Sequence, residues 1–524
     1  MEPPRHVTQH WVLRKPAARG RRGIVVAQVK SAAEAGALML EAGGSAADAA
    51  IATAFALAAV EPWNSGLGGI GFAQVAAPGQ APETLDFGPV APSGLDPAAF
   101  PLTGRLKQDL FAWPEVVGDR NIHGPLSCVI PSAVAGYAAL HAKHGRLPLR
   151  EVLAPAVALA KRGLPKDWFT SLKITFSAPT LRLYPESARI YLADGLPPAP
   201  PYQGAPGYMA LGALPATLER LQQAGLEDFY RGEVAAAIAH DVAAMGGVLS
   251  AADLAGCRAR FLPAVAQPWA GRTLLLANGL TAAPTLAAVL RGMEGAASGA
   301  APSPEWYARL ARVLRGAYAE RLKGLGDAEP PGAETCTTHL TVCDAEGMMV
   351  AMTTTLLSSM GSRVVLPGTG VLLNNGVMWF DPQPGTPNAI GPSKRPLTNM
   401  CPVIALDAEG RPEIAAGASG GRRILAAVHQ MLAFVGEFGM APEAAAHHPR
   451  IDVSGPEGVA ADARLPAEVV AALAAEAAVQ VVEHGVMPIN FANPNLILRG
   501  PGGEATGISD AASPWSAAVA ARAG

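Results

Sequence analysis

The sequence predicts a mixed α+β fold, on three observations. Residues 22 to 78 read as strand, helix, helix, glycine turn and strand. From 126 to 325 helical segments such as "AVAGYAALHAKHG" and "EVLAPAVALAKRG" prevail, joined by proline-rich connections like "GLPPAPPYQGAPG" at 195 to 207. After 337 the pattern turns to strands and turns with a few helices, so the strongest compositional break falls near residue 330.

Composition narrows the function before any motif does. The 524 residues are 50% hydrophobic and 16% charged, enough to bury a large core, and length alone suggests about three domains at ~150 residues each. A formal charge of -3 without a like-charge block gives no long-range pull toward nucleic acid or anionic lipid. Small molecules are the expected partners. The five cysteines are odd in number and form no CxxC pair, which argues against a disulfide framework or a zinc site and fits a reducing compartment. The basic N-terminus lacks the apolar stretch of a secretion signal, and the longest apolar run, "AAIATAFALAAV" at 49 to 60, is too short for the ~20 residues that span a bilayer. A soluble cytoplasmic protein is expected.

Each element follows from local signals. Ser45 and Asp48 have capping-box spacing and should start the second helix. Gly66, Gly68 and Gly71 match G-x-G-x-x-G, but they follow a helix and open the strand "FAQVAA", the reverse of a dinucleotide-binding turn, which argues against nucleotide binding. "HLTVCDAEGMMVAMTTTL" reads as a β-hairpin around a type I turn at Asp344 to Gly347, which would place Thr337 opposite Thr354 and Thr355 one position from a direct pair. "RPEIAAGASGGRRILAAVHQML", 411 to 432, reads as strand, glycine turn and helix.

Two nucleophiles compete in these segments. Threonine is β-branched and common in strands, and its hydroxyl is a poor nucleophile without a base. Cleavage just before Thr337 would supply one, because the new α-amine has a pKa of about 7.7–8.0. The proline- and glycine-rich "DAEPPGA" just upstream is a suitable connector. The N–H groups of Gly420 and Gly421, at a helix N-terminus, suit an oxyanion, and Arg422 and Arg423 sit against the helix dipole as though facing an anion. The rival is Ser419, in a G-x-S-x-G match with Asp462 and His484 in hydrolase order. His447 and His448 lack a third ligand at metal spacing, so neither metal nor cofactor is expected.

Taken together, "TTHLTVCDAEGMMVAMTTTL", "VLLNN", "KRPLTNMCP" and "GASGGRRI" resemble, in order and spacing, the small-subunit motifs of the gamma-glutamyltranspeptidase family of N-terminal nucleophile hydrolases. The resemblance extends upstream through "AAEAGALMLEAGGSAADAAIATAFALAAVEP", "IPSAVAGYAALHAKHGRLPLREVLAPAVALAKRG" and "GGVLSAADLAGCRA". It implies a four-layer αββα sandwich and a precursor that cuts itself between Cys336 and Thr337. Residues 1–336 and 337–524 would then be large and small subunits of one structural unit, with a homodimer of such pairs admitted. Thr337 would be the nucleophile, Thr355 its supporting hydroxyl, and Gly420 and Gly421 the oxyanion hole.

The departures from the family pattern bear on substrate. The arginine expected to grip a glutamyl α-carboxylate is replaced in Asp86-Phe87-Gly88-Pro89, and an expected asparagine is Leu357. Asn375 is followed by Gly376 and Trp379 where polar groups would hold the α-amine, and the usual Ser-Ser is Thr398-Asn399. With Arg422 these positions are the expected substrate contacts, and Leu357, Met378 and Trp379 make the site apolar. A desolvated zwitterion needs charged partners, so the expected function is an amide hydrolase whose acyl group is not gamma-glutamyl, like cephalosporin-acylase-like or oxamate-amidohydrolase-like members. The alternatives are a true gamma-glutamyltransferase with a rebuilt clamp, or an inactive binding homologue.

Overall fold

The computed structural model describes residues 13–107, 113–325, 335–455 and 458–522; the connector at 327–333 lies outside them. Two seven-stranded antiparallel sheets form the centre. One runs Ala18–Gly20, Ala505–Ser509, Asn493–Arg499, Pro412–Ser419, Val403–Leu406, Arg272–Leu276, Val265–Trp269. The other runs Ala517–Ala520, Gly23–Ala27, Thr335–Asp344, Met349–Ser358, Ile70–Ala76, Glu83–Phe87, Arg260–Pro263. Each contains strands from both sides of residue 336. The compositional break near 330 is therefore no boundary between folding units, and the length-based count of three domains gives way to one core.

Alternation along the strands builds the layers. In the second sheet Ile24, Val26, Cys343, Met349 and Ala351 point inward and meet Leu275, Ile404, Ala415 and Ile497 of the first. Their neighbours Val25, Ala27, Leu340, Val342, Val350 and Met352 point outward under the helices Lys30–Glu41, Ala46–Val60, Ala133–His144 and Leu149–Arg162. On the far side, Leu274, Leu276, Val403, Ala405, Ile414 and Ala416 pack under Ala283–Met293, Pro304–Leu325 and Arg423–Leu432. A period of two sends alternate residues to opposite faces, so both faces of both sheets are covered and the order is αββα.

Ser45 and Asp48 form the expected capping box, and all fifteen residues of Ala46–Val60 are buried. Alanine makes that burial feasible, since small side chains let the helix approach the helix before it. A Cβ at Gly36 would meet Thr53 Oγ1 at 2.2 Å. Gly68 and Gly71 act likewise: added Cβ atoms would meet the Leu372 carbonyl at 2.1 Å and that of Thr353 at 2.4 Å. The reversed G-x-G-x-x-G is thus a packing device.

Two expectations need correction. The stretch 126–325 holds three strands of the central sheets, Arg260–Pro263, Val265–Trp269 and Arg272–Leu276. Pro263 and Pro268 interrupt their pattern, and both lie in strands at sheet edges, where a missing N–H is tolerated. The hairpin register is also one residue off: Thr338, not Thr337, lies opposite Thr354. Gly347 adopts φ +94° and Asp344 Oδ1 accepts from the N–H groups of both Glu346 and Met348, at 3.0 and 2.9 Å, so the loop holds one residue more than a simple four-residue turn. Among the described residues no helix is long and apolar enough to cross a membrane.

Candidate active site

The corrected register brings Thr337 to Thr355. Cys336 pairs with Leu357 and Thr338 with Thr354, leaving Thr337 facing two residues, Thr355 and Leu356, at an irregularity in the ladder. Bulges re-aim side chains, and here the Thr337 hydroxyl points at the Thr355 hydroxyl, 3.4 Å away, long for an O–H···O bond. Both threonines are buried. Thr355 Oγ1 also accepts the Leu357 N–H at 2.8 Å. Leu357 stands at φ +87°, a conformation costly for a side chain of its size, and the Thr355 hydroxyl helps hold it there.

Gly420 and Gly421 occupy the turn between Pro412–Ser419 and Arg423–Leu432, with φ +135° and +59°. A Cβ at Gly420 would lie 2.8 Å from Ala492 Cα. Among the described residues neither glycine N–H has a backbone acceptor, so both are free to donate. His339, two residues after Thr337, is fully buried, and burial pushes its pKa down to about 3. It is a neutral ring bonded to Thr353 Oγ1 at 2.8 Å, and Gly417 leaves room for it, since a Cβ there would meet His339 Cε1 at 2.1 Å.

Thr337 stands between two chambers. The smaller, about 10 Å³, is lined by Leu357, Trp379, Asn399, Met400, Gly421 and Ile424, and holds no more than about one water. The larger, about 320 Å³, has Glu61, Trp63, Phe169, Lys173, Ser419, Gly420 and Arg423 in its wall, closed on one side by residues 485–490. Glu61 caps the end of Ala46–Val60 and is fully buried; burial pushes its pKa up to about 7, against the bonds from Thr338 and Asn64 and the charge of Lys173.

The expected substrate contacts divide. Leu357, Trp379 and Asn399 line the small chamber with Thr337. Asn375 does not: its amide donates to the Ile122 carbonyl and Ser358 Oγ, both at 2.8 Å, and accepts the Ser358 N–H, bracing the strand end. Gly376 packs on Val129, where a Cβ would meet Cγ2 at 2.4 Å, and Thr398 donates to the Leu280 carbonyl. Arg422 lies over the Tyr318 ring, 5.5 Å from its centre, and its neighbour Arg423 enters the large chamber instead. The helix begins at Arg423, so the two arginines diverge by about 100°.

Ser419 lines the same chamber as Thr337, but its proposed relay is absent: Asp462 pairs with Arg464 at 2.6 Å, and His484 with Asp510 at 3.3 Å. His447 accepts the Lys15 N–H and His448 packs edge-on to Phe434. Among the described residues no group of His, Cys, Asp and Glu could hold a metal. Sequence reasoning missed Glu61 and Lys173. The signals were present, a carboxylate directly after twelve apolar residues and a lone lysine in "FTSLKITF", but neither says which side of a helix end or face is enclosed.

The fold is that of an N-terminal nucleophile hydrolase. The gamma-glutamyltranspeptidase family model matches residues 32–335 and 328–520, and the chain belongs to that family. It is 30% identical over 479 residues to the acylase ACY 1 proenzyme of Pseudomonas sp. strain SE83, covering 84% of each chain. It is 27% identical over 487 residues to the glutathione hydrolase proenzyme of Escherichia coli K12, covering 82% of this chain and 81% of that one. Its fold matches cephalosporin acylase from Bacillus halodurans with a TM-score of 0.84 over the full length of both, at 24% identity.

Proposed function

We propose that the chain is a self-processing amide hydrolase that works through an acyl-enzyme on Thr337 and whose acyl group is not gamma-glutamyl. One observation carries the reading: the Thr337 hydroxyl faces Thr355, and Thr337 lines a chamber that Gly420 also lines. In processing, Thr337 Oγ attacks the Cys336 carbonyl, the peptide C–N bond breaks, and water hydrolyses the resulting ester. Cys336 becomes a C-terminal carboxylate and Thr337 a free amine. In turnover that amine takes the hydroxyl proton as Oγ attacks the amide and passes it to the departing amine, while Gly420 and Gly421 donate to the oxyanion. Water then releases the acid.

The substrate half of the reading rests on room and charge. An arginine at position 88 has no space, because even a Cβ there would meet Phe72 Cζ at 2.4 Å and the Arg395 guanidinium at 2.9 Å. Arg395 is no substitute, being paired with Asp86 at 2.5 Å. Leu357 and Trp379 offer a zwitterion no charge.

Mass spectrometry of the purified chain is expected to find fragments 1–336 and 337–524; a fully active uncut chain would sink the mechanism. In an amide panel, gamma-glutamyl 4-nitroanilide and glutathione are expected to be poor substrates, and kcat/KM above about 10⁴ per molar per second for either would favour a transferase with a rebuilt clamp. The same reading places the enzyme in the cytoplasm. Free Cys128, Cys257, Cys343 and Cys401 support this, and cell fractionation tests it.

A further inference from the structure

Among the described residues, Lys173 is a largely buried lysine that the chemistry at Thr337 leaves unexplained. It sits on the helix Trp168–Leu181 with 7% of its surface exposed, in the wall of the large chamber. Among the described residues it has no ion pair and no hydrogen bond; its contact is the Phe169 ring, 5.5 Å from the ammonium. Glu61 feels its charge but lies beyond ion-pair distance, and one Glu61 oxygen, Oε2, is itself buried without a partner. An ammonium in the chamber wall with no carboxylate at ion-pair distance is open to an anionic group of a ligand. Arg423 lines the same chamber, giving one N–H to the Ile489 carbonyl at 3.2 Å; its charge also acts on the buried Asp452. Trp63, Phe169 and Phe176 supply apolar surface between the two cations.

We propose that Lys173 and Arg423 form an anion subsite that holds a carboxylate of the substrate, in whichever half of the amide extends from Thr337 into this chamber. The proposal rests on the reading of Thr337 as an amide-hydrolysing nucleophile. The small chamber admits about one water, so the bulk of the substrate has only the large chamber to occupy, and two cations there select a negatively charged group. Glu61 shares the chamber with Lys173 and Asn64. When it ionises above about pH 7 it adds a competing negative charge, so the subsite is strongest below that pH.

The test is binding of glutarate, with glutaramide as its neutral twin, to processed enzyme by calorimetry. Glutarate is expected to bind more tightly than glutaramide. Lys173→Met should weaken glutarate about 10–100-fold, the worth of one charged hydrogen bond, and Lys173→Arg should recover most of the loss. Thermal unfolding of Lys173→Met, followed in parallel, separates a lost subsite from a lost fold, and Arg423→Gln reports on the second cation. Turnover of glutaramate and of N-acetyl-β-alanine, each against its methyl ester, assigns the carboxylate to the acyl or the amine half. Equal affinity for glutarate and glutaramide, no binding of either, or a glutarate affinity untouched by Lys173→Met would each overturn the subsite. If glutarate binds through Lys173 while no amide is hydrolysed, the subsite stands and the hydrolase reading falls.

Discussion

Thr337→Ala is expected to leave the 524-residue chain in one piece on a denaturing gel and to abolish amide turnover. On the proposed mechanism, removing Oγ takes away the atom that attacks in both reactions, and the carbonyl of Cys336 keeps its amide bond. Failed processing would by itself hide the chemistry, so the informative form is the variant made by co-expressing residues 1–336 with residues 337–524. There the α-amine is already free and only the nucleophile is missing. Turnover is expected to fall by at least the order of 10³-fold, as when a covalent nucleophile is deleted elsewhere. Thr337→Ser keeps the hydroxyl and should retain both reactions in part. Thr355→Ala should lie between, because an ordinary supporting hydrogen bond contributes about 0.5–1.5 kcal/mol, or ~2–10-fold, and the Thr337–Thr355 contact is 3.4 Å long. Ser419→Ala should change turnover modestly. Full activity in co-expressed Thr337→Ala, with none in Ser419→Ala, would move the nucleophile to the serine.

What the sequence made legible, and what it hid, follows from the range of the forces involved. Capping at Ser45, the hairpin around Gly347 and the strand–glycine–helix turn at 420–421 are local, set by residues within one or two turns of each other, and each is visible in the string. The one-residue error in register shows the limit. A type I turn and its extended form with a left-handed glycine have nearly the same composition, yet they shift every cross-strand partner, so Thr337 and Thr355 come together only with the loop geometry in hand. Arg422 and Arg423 were equivalent in sequence; the helix start separates them. Asn375 looked like a ligand-binding amide and is a brace, because its partners at Ile122 and Ser358 are remote in the chain. Lys173 and Glu61 lie 112 positions apart and share a chamber only because the helix Trp168–Leu181 and the end of Ala46–Val60 both border it. Leu357 is the most telling case. Its φ of +87° suits asparagine or glycine far better than leucine, and holding a leucine there costs about 1–3 kcal/mol of strain. That strain, in a residue lining the small chamber with Thr337, is invisible in the sequence.

Gly420→Ala is expected to give the largest loss short of deleting the nucleophile, and the loss should appear in kcat. At φ +135° the backbone is open to glycine and strained for any other residue, and an added Cβ would lie 2.8 Å from Ala492 Cα, a backbone atom of the neighbouring wall that has no rotamer with which to yield. The peptide must therefore turn, and its N–H turns with it. Substrate in its ground state presents a planar carbonyl that asks little of this donor; the tetrahedral oxyanion asks for it fully, so the change falls on the transition state and leaves KM nearly where it was. Loss of one such donor costs about 10²–10³-fold in kcat. The measurement is steady-state turnover of the processed fraction, with thermal unfolding followed in parallel so that local strain is separated from global loss of fold. A Gly420→Ala enzyme that is processed and turns over at the parent rate would show that the oxyanion is stabilised elsewhere, and would remove the helix-terminal turn at 420–421 from the chemistry.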